Sequence, residues 1–387
     1  MKLTAYIALF MITFSGQVMA QAVSVPETLA RNAYVVDYDT GTVLLEKNAD
    51  ERVPTASMSK VLTTIVVYDA LKSGKLSMGQ MVPVSQRAWE KSDPKNGEST
   101  MFLPLGSMAK VEDLIRGVVI QSGNDACIVL AEAIAGSEEN FVAMMNQKAE
   151  EIGMKDSHFM NSTGLDDANH FSTPRDLAKM GIYLIRKYPE DYKYYSEKEF
   201  VYNNIKQGNR NPLLYKGIGA DGIKTGHTST AGYGLIGSGT AGGRRIVMVI
   251  NGTKSMQERA DESAKLMHWA EISFKNVDLV KKDSVITKAP VVLGAAREVE
   301  LIAAEDFRAT VPSYAKTTAQ LTATYNVPLK APIKAGDKAG SVLVTLTNGA
   351  IHEIPLLVKS DVAEAPFFAR LTEKFMILLV GVPKYQP

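Results

Sequence analysis

The chain has only one cysteine, Cys127, in 387 residues, which excludes an internal disulfide and a cysteine-built metal framework. Cys127 lies in the apolar run "NDACIVLAEAIAG", where a buried structural thiol is expected rather than a nucleophile. The five histidines (His158, His170, His227, His268 and His352) are scattered, and none form a helical pair at metal-ligating spacing. A zinc peptidase is therefore not expected, nor is a metal or cofactor of any kind. Neither sign of charge is in excess, with 43 Lys+Arg against 42 Asp+Glu, so a general attraction to nucleic acid has no support. The apolar runs at the two chain ends are both too short for an ordinary membrane span.

What the chain does have is ordinary globular composition, 45% hydrophobic and 22% charged, at a length that exceeds one typical core. Its first residues read as an export signal. Lys2 is followed by the apolar run Leu3 to Phe14 and by "VMA", which places cleavage after Ala20. "AYVVDYDTGTVLLEKN" reads as two strands around a turn at Asp39-Thr40-Gly41, and "VPTASMSKVLTTIVVYDALKSG" as a helix built for burial that ends near Gly74. A helix from about Val111 breaks at Ser122-Gly123-Asn124, and a second follows. "TPRDLAKMGIYLIRKY" has Thr173 as N-cap and Pro174 at the first helical position. Three glycine-punctuated strands in "DGIKTGHTSTAGYGLIGSGTAGGRRIVMVING" and the helix "MQERADESAKLMHWAEISF" complete the unit. Strands at both sequence ends with helices between predict an α+β domain.

From about Val277 short alternating runs ("EVELIAA", "AQLTATYNV", "GSVLVTLTNG", "HEIPLLV") separated by Pro, Gly and Asp predict an all-β module. It carries no recognisable chemistry and reads as a spacer or contact module. The end of the chain, "EAPFFARLTEKFMILLVG", differs again. At ~100° per residue, Phe367, Phe368, Leu371, Phe375, Leu378 and Leu379 share one arc opposite Arg370, Glu373 and Lys374, which suits a helix lying in a membrane interface. The expected division is a signal at 1–20, a catalytic domain at 21–276, a β-rich domain at 277–362 and an amphipathic tail at 363–387.

Chemistry is suggested by two residues that packing does not require. Ser57 and Lys60 are three apart and so share one face of a helix. A serine needs a base to become a nucleophile, and a lysine can serve only if burial or a nearby cation keeps its amine neutral. Ser-x-x-Lys alone is weak, because Ser92 and Lys95, Ser107 and Lys110, and Ser313 and Lys316 repeat it. Only the Ser57 copy opens a long apolar helix. Two further motifs give it weight: Ser122-Gly123-Asn124 in the break between helices and Lys224-Thr225-Gly226 at the head of a strand. A given tripeptide is expected about once in several thousand residues, and the three motifs together mark penicillin-recognising serine enzymes.

With these motifs, "GLDD", "DGIKTGHT" followed by "AGY", the β module and the tail, the chain resembles the low-molecular-mass penicillin-binding proteins, the D-alanyl-D-alanine carboxypeptidases of serine peptidase family S11. The resemblance implies an α+β transpeptidase domain of the penicillin-binding-protein/β-lactamase kind (an antiparallel sheet with a helical cluster), then a small all-β domain and a C-terminal amphipathic helix. It implies that Ser57 is acylated, that Lys60 is its base, that Ser122 relays protons and that Asn124 binds the substrate amide. Lys224 would supply positive potential that helps keep Lys60 neutral, and Thr225, His227 and Arg210 would hold the terminal carboxylate. The backbone N–H groups of Ser57 and His227 would form the oxyanion hole. Gly226 would leave room for substrate to pair with the strand. The implied partners are a peptidoglycan pentapeptide ending in D-Ala-D-Ala, β-lactams as covalent inhibitors and the inner-membrane surface, with the protein exported to the periplasm. Thr163 stands where some relatives carry a histidine.

Simpler roles compete at several positions. Ser122 and Asn124 could merely cap the following helix. Lys224 could be a solvated strand-end charge, His227 a polar loop residue and Arg210 a surface arginine. A serine β-lactamase shares the three motifs, but "LDDANH" offers no glutamate in the expected pattern. A non-catalytic wall-binding scaffold is the remaining alternative, and the intact motif residues argue against it.

Overall fold

The computed structural model describes residues 6–11 (backbone only), 23–91, 98–316 and 319–380. The expected cleavage point after Ala20 and the last seven residues lie outside these, as does the tip of the 90–106 loop at 92–97. Tyr6–Met11 runs antiparallel to the strand Ala319–Val327.

The chain divides into two units, Ser24–Ile272 and a second comprising Met1–Val23 with Ser273–Pro387. The first is built on a five-stranded antiparallel sheet in the order Val43–Lys47, Asn32–Asp37, Arg244–Thr253, Gly232–Ala241, Ala220–Thr228. Both faces are covered. Tyr34, Val36, Ile223, Ile236, Val247 and Val249 join the core of the helical cluster, and the alternate residues Val35, Leu235, Ile246 and Met248 are buried as well. Ala220–Thr228 is an edge strand, so its outer backbone groups face the helical cluster and the cleft rather than another strand.

The helices are α1 (Lys60–Lys72), α2 (Gln86–Glu90), α3 (Val111–Arg116), α4 (Asn124–Ala135), α5 (Glu138–Ile152), α6 (Pro174–Lys187) and α7 (Met256–Ser273). The first of them, α1, is buried nearly all round, from Lys60 to Tyr68, which explains its lack of a polar face. It closes at Gly74, whose φ of +73° is the left-handed conformation that glycine adopts without penalty. Thr173 caps α6 by accepting from the Asp176 N–H at 3.1 Å, with Pro174 in the first turn. Arg244 forms a buried ion pair with Asp37 at 3.0 Å and also reaches the carbonyl of Ala270, tying α7 to the sheet.

The second unit holds a seven-stranded sheet with its own core, including Val291, Leu301, Val342, Val344, Ile354 and Leu356. Its last element is α8 (Phe367–Val380), in which no residue is buried. Phe367, Phe368, Leu371, Phe375, Leu378 and Leu379 are 55–79% exposed. The opposite face is the one that is held: Glu373 pairs with Arg297 at 3.1 Å, and Arg370 pairs with Glu364. No helix among the described residues is long and apolar enough to cross a membrane.

Candidate active site

Ser57 does not lie in α1 itself. It sits in a tight 3-10 turn, Ala56–Ser59, immediately before it. Ala56 takes φ +47°, a left-handed conformation that costs a non-glycine residue on the order of 1 kcal/mol. Ser57 is half-buried, and Lys60 Nζ lies 2.9 Å from its Oγ. Lys60 is 1% exposed, and its second partner is the backbone carbonyl of Thr163 at 2.5 Å. Its pKa is lowered to about 8, chiefly by burial and also by Arg210, with the Cys127, Asp125 and Glu98 side chains acting in the opposite direction. A neutral amine that donates to Thr163 keeps its lone pair for the Ser57 proton. Arg210 thus joins Lys224, the cation the sequence pointed to, since Lys60 and Lys224 also repel one another.

The second motif follows a five-residue π turn, Gly117–Gln121, and places Ser122 at φ +68°. Such bulges recur at functional sites. Neither Ser122 nor Asn124 caps α4 with its side chain; the N-cap is Gly123 and has no side chain. The Ser122 Oγ is buried and has no hydrogen-bond partner among the described residues, which leaves the capping explanation without support. Asn124 opens α4, its N–H donating to the Ser99 carbonyl at 2.8 Å. Asp125 next to it is fully buried and accepts from Thr100 Oγ1 and from the N–H groups of Met101, Leu103 and Ala126 at 2.7–3.2 Å, which pins the loop beside the cleft. No motif pointed to that carboxylate.

Lys224 is buried, not a solvated strand end, and its Nζ donates to the Thr225 carbonyl at 3.0 Å. Burial pushes its pKa well down, and Lys60, Arg210 and Arg259 push it further. Four cationic side chains therefore converge here. Arg259, in α7, has no sequence signal; it is 6% exposed, lies 5.7 Å over the Tyr233 ring and has an unpartnered Nε. Arg210 is exposed and donates to Ser99 Oγ at 2.6 Å. Thr225 is buried, and the exposed His227 stacks on Tyr233 with centroids 3.9 Å apart.

Gly226 is explained differently from the expectation. A Cβ there would meet the Thr55 carbonyl at 2.9 Å and Ala56 Cβ and Met58 Cγ at 3.2 Å. The glycine lets the strand press against the turn that carries Ser57, so its constraint is internal packing and not only room for substrate. Gly164 does the same from the other side, at φ +84°, where a Cβ would fall 1.8 Å from the Ala56 carbonyl. Thr163 contributes its backbone only, since its Oγ1 turns to Asn161 Oδ1 at 3.0 Å. In "LDDANH", Asp166 accepts from Thr228 Oγ1 at 2.8 Å, linking that loop to the end of the edge strand. Cys127 is fully buried with a pKa raised to about 12, chiefly by burial, which suits a structural thiol. Among the described residues no group of three metal-ligating side chains is present.

The D-alanyl-D-alanine carboxypeptidase peptidase family matches residues 19–255, and the C-terminal domain of penicillin-binding protein 5 matches residues 274–364. The chain is 40% identical over 380 residues to the D-alanyl-D-alanine carboxypeptidase DacC of Escherichia coli K12, covering 95% of this chain and 93% of that protein. It is 37% identical to DacA of Haemophilus influenzae, over 98% of this chain and 97% of the relative. Among solved structures, penicillin binding protein 5 of Haemophilus influenzae superposes with a TM-score of 0.77 at 38% identity, covering 89% of this chain and all of that one.

Proposed function

The chain belongs to the D-alanyl-D-alanine carboxypeptidase family of serine peptidases, and from that membership we propose that it removes the terminal D-alanine of peptidoglycan stem peptides through an acyl-enzyme on Ser57. The observation that carries the assignment is the 2.9 Å contact between Ser57 Oγ and a fully buried Lys60 whose pKa is lowered to about 8. The Ser57 proton passes to Lys60 as Oγ attacks the carbonyl carbon between the two D-alanines. The developing oxyanion is held by the N–H groups of Ser57 and His227, drawn together by the close approach at Gly226. Ser122, with its hydroxyl buried and uncommitted, passes its proton to the departing amine and takes one back from Lys60, and the amine leaves as D-alanine. Water then repeats the attack on the ester and regenerates Ser57. Asn124 holds the substrate amide.

The substrate carboxylate binds among Thr225, His227, Arg210 and Lys224, and we add Arg259 to this group because its charge reaches Lys224. A carboxylate arriving there raises the Lys224 pKa again, so binding of an anion and charging of Lys224 go together. β-Lactams acylate the same serine and hydrolyse slowly. The β-lactamase and scaffold alternatives gain nothing from the relatives, which are named carboxypeptidases and penicillin-binding proteins.

The mature enzyme would begin at Gln21, be exported to the periplasm and comprise a catalytic domain to 276 and a β-rich domain to 362. Its tail would rest on the inner-membrane surface, apolar face down. Support comes from α8, whose charged side is tethered while its aromatic side is open.

The deciding experiment incubates the protein with penicillin and follows intact mass, alongside D-alanine release from a D-Ala-D-Ala peptide. A persistent adduct on Ser57 and release of D-alanine are expected, and both vanish in Ser57→Ala. Rapid penicillin turnover without an adduct would indicate a lactamase instead, and neither adduct nor release would exclude both enzymes.

A further inference from the structure

His170 lies under the nucleophile turn and has no place in the mechanism above. It is 3% exposed, with Phe159 edge-on to its ring at 5.4 Å. The Met160 N–H donates to His170 Nδ1 at 3.2 Å, so Nδ1 must be unprotonated and Nε2 carries the hydrogen. Nε2 faces Ser59 Oγ at 2.7 Å, and Ser59 Oγ lies 2.5 Å from Thr55 Oγ1. The imidazole therefore donates to Ser59, and Ser59 and Thr55 share a further hydrogen bond. Both hydroxyls are fully buried, and they stand two residues before and two residues after Ser57.

That link closes a five-residue loop across a strained turn. Ala56, inside the loop, holds φ +47°. Strained backbone persists only where its surroundings over-determine it. The Thr55 carbonyl is also the atom against which Gly226 packs. The clamp therefore sets the position of the turn relative to the strand that carries His227. This inference rests on Ser57 being the acylated residue.

We propose that His170 is a positioning residue, which in its Nε2–H form locks Ser59 and Thr55 and so holds Ser57 at the spacing from the Ala220–Thr228 strand that the oxyanion site requires.

The charged and titratable groups around it are Asp166, Asp167 and His158 from its own loop and Lys60 from α1. Burial dominates and brings the imidazole pKa to about 4, with His158 and Lys60 acting in the same direction and the two aspartates opposing. A groove of about 570 Å³ lined by Arg52, Pro54, Asp167 and Phe171 reaches this side of His170 and gives protons a way in. The imidazolium would turn an N–H toward the Met160 N–H, a donor facing a donor, so the clamp exists only with the neutral ring.

The test compares His170→Ala, His170→Gln and Ser59→Ala, measuring the rate of acylation by a fluorescent penicillin and kcat and KM for D-alanine release. His170→Ala and Ser59→Ala should each slow acylation and kcat about 10- to 100-fold, as an ångström-scale misplacement does, with KM little changed. Glutamine can accept from Met160 and donate to Ser59, so His170→Gln should stay within about threefold of the unmodified enzyme. The double variant should be no slower than either alanine variant alone, because both cut one chain. Nitrogen NMR of the unmodified protein should show His170 as the Nε2–H tautomer at neutral pH, titrating near pH 4. Unchanged acylation in the alanine variants would overturn the proposal, as would a folded His170→Gln as slow as His170→Ala, or an Nδ1–H tautomer. An unmodified enzyme that never labels on Ser57 would instead overturn the reading on which the inference rests.

Discussion

The backbone carbonyl of Thr163 accepts from Lys60 Nζ at 2.5 Å, and the Thr163 side chain takes no part in that contact. Its hydroxyl donates to Asn161 Oδ1, which also accepts from the N–H groups of Thr163, Gly164 and Leu165. Thr163 therefore acts here through its main chain. Thr163→Ala is expected to leave acylation within about threefold of the unmodified enzyme, since it removes one neutral hydrogen bond. Asn161→Ala removes the acceptor shared by four donors and should slow acylation by more than tenfold, about 1.4 kcal/mol or more at the barrier. Equal effects of the two substitutions in a penicillin-labelling assay would contradict this division.

Acylation should follow the neutral fraction of Lys60. Its pKa is lowered to about 8, chiefly by burial, and only the unprotonated amine accepts the Ser57 proton. The second-order rate of penicillin acylation is thus expected to rise nearly tenfold per pH unit up to ~7.5 and level off above ~8. Arg210 lowers the Lys60 pKa, so Arg210→Ala should move this limb to higher pH while weakening binding of substrates with a terminal carboxylate. A pH profile that is flat from 6 to 9 would remove Lys60 from the role of base.

Ser122 separates catalysis from stability. Its buried Oγ has no protein partner among the described residues, so Ser122→Ala gives up no hydrogen bond of the fold. The melting temperature should stay the same or rise, while turnover falls about 10²- to 10⁴-fold with loss of the proton relay. A marked loss of stability at full activity would give Ser122 a structural role instead.

Gly226→Ala should push the Ser57 turn away from the edge strand, because the added methyl would lie 2.9 Å from the Thr55 carbonyl. We expect a fall in kcat of about 10- to 100-fold with a stability cost of about 1–3 kcal/mol from overpacking. Gly164→Ala is more severe, since the contact would be 1.8 Å and φ is +84°; failure to fold is the expected outcome. Thermal denaturation and penicillin labelling on the same samples distinguish the two cases.

Truncation after Glu364 should shift the protein from the membrane fraction to the soluble fraction with acylation of Ser57 unchanged. The exposed apolar residues of α8, eight in all with Met376 and Val380, would be lost together. Unchanged fractionation would dispose of the anchoring role.

Much of this protein was decided locally and could be read from the chain. Thr173-Pro174 starts α6 because a short oxygen-bearing side chain and a fixed φ suit a helix entrance. Gly74 ends α1 because it takes positive φ without penalty, and glycine-punctuated runs become the strands Ala220–Thr228, Gly232–Ala241 and Arg244–Thr253. Ser57, Lys60, Ser122, Asn124 and Lys224, the proposed catalytic groups, stand out in the chain because each lies in a short motif. Tertiary structure alone decided the rest. Arg210, 150 residues away, joins Lys224 in acting on Lys60, and Arg259 joins from a helix with no motif. Gly226 answers to the backbone of Thr55, and His170 reaches Ser59 across 111 residues. Desolvation and close backbone approach depend on which distant segments meet, and local residue pattern does not record that.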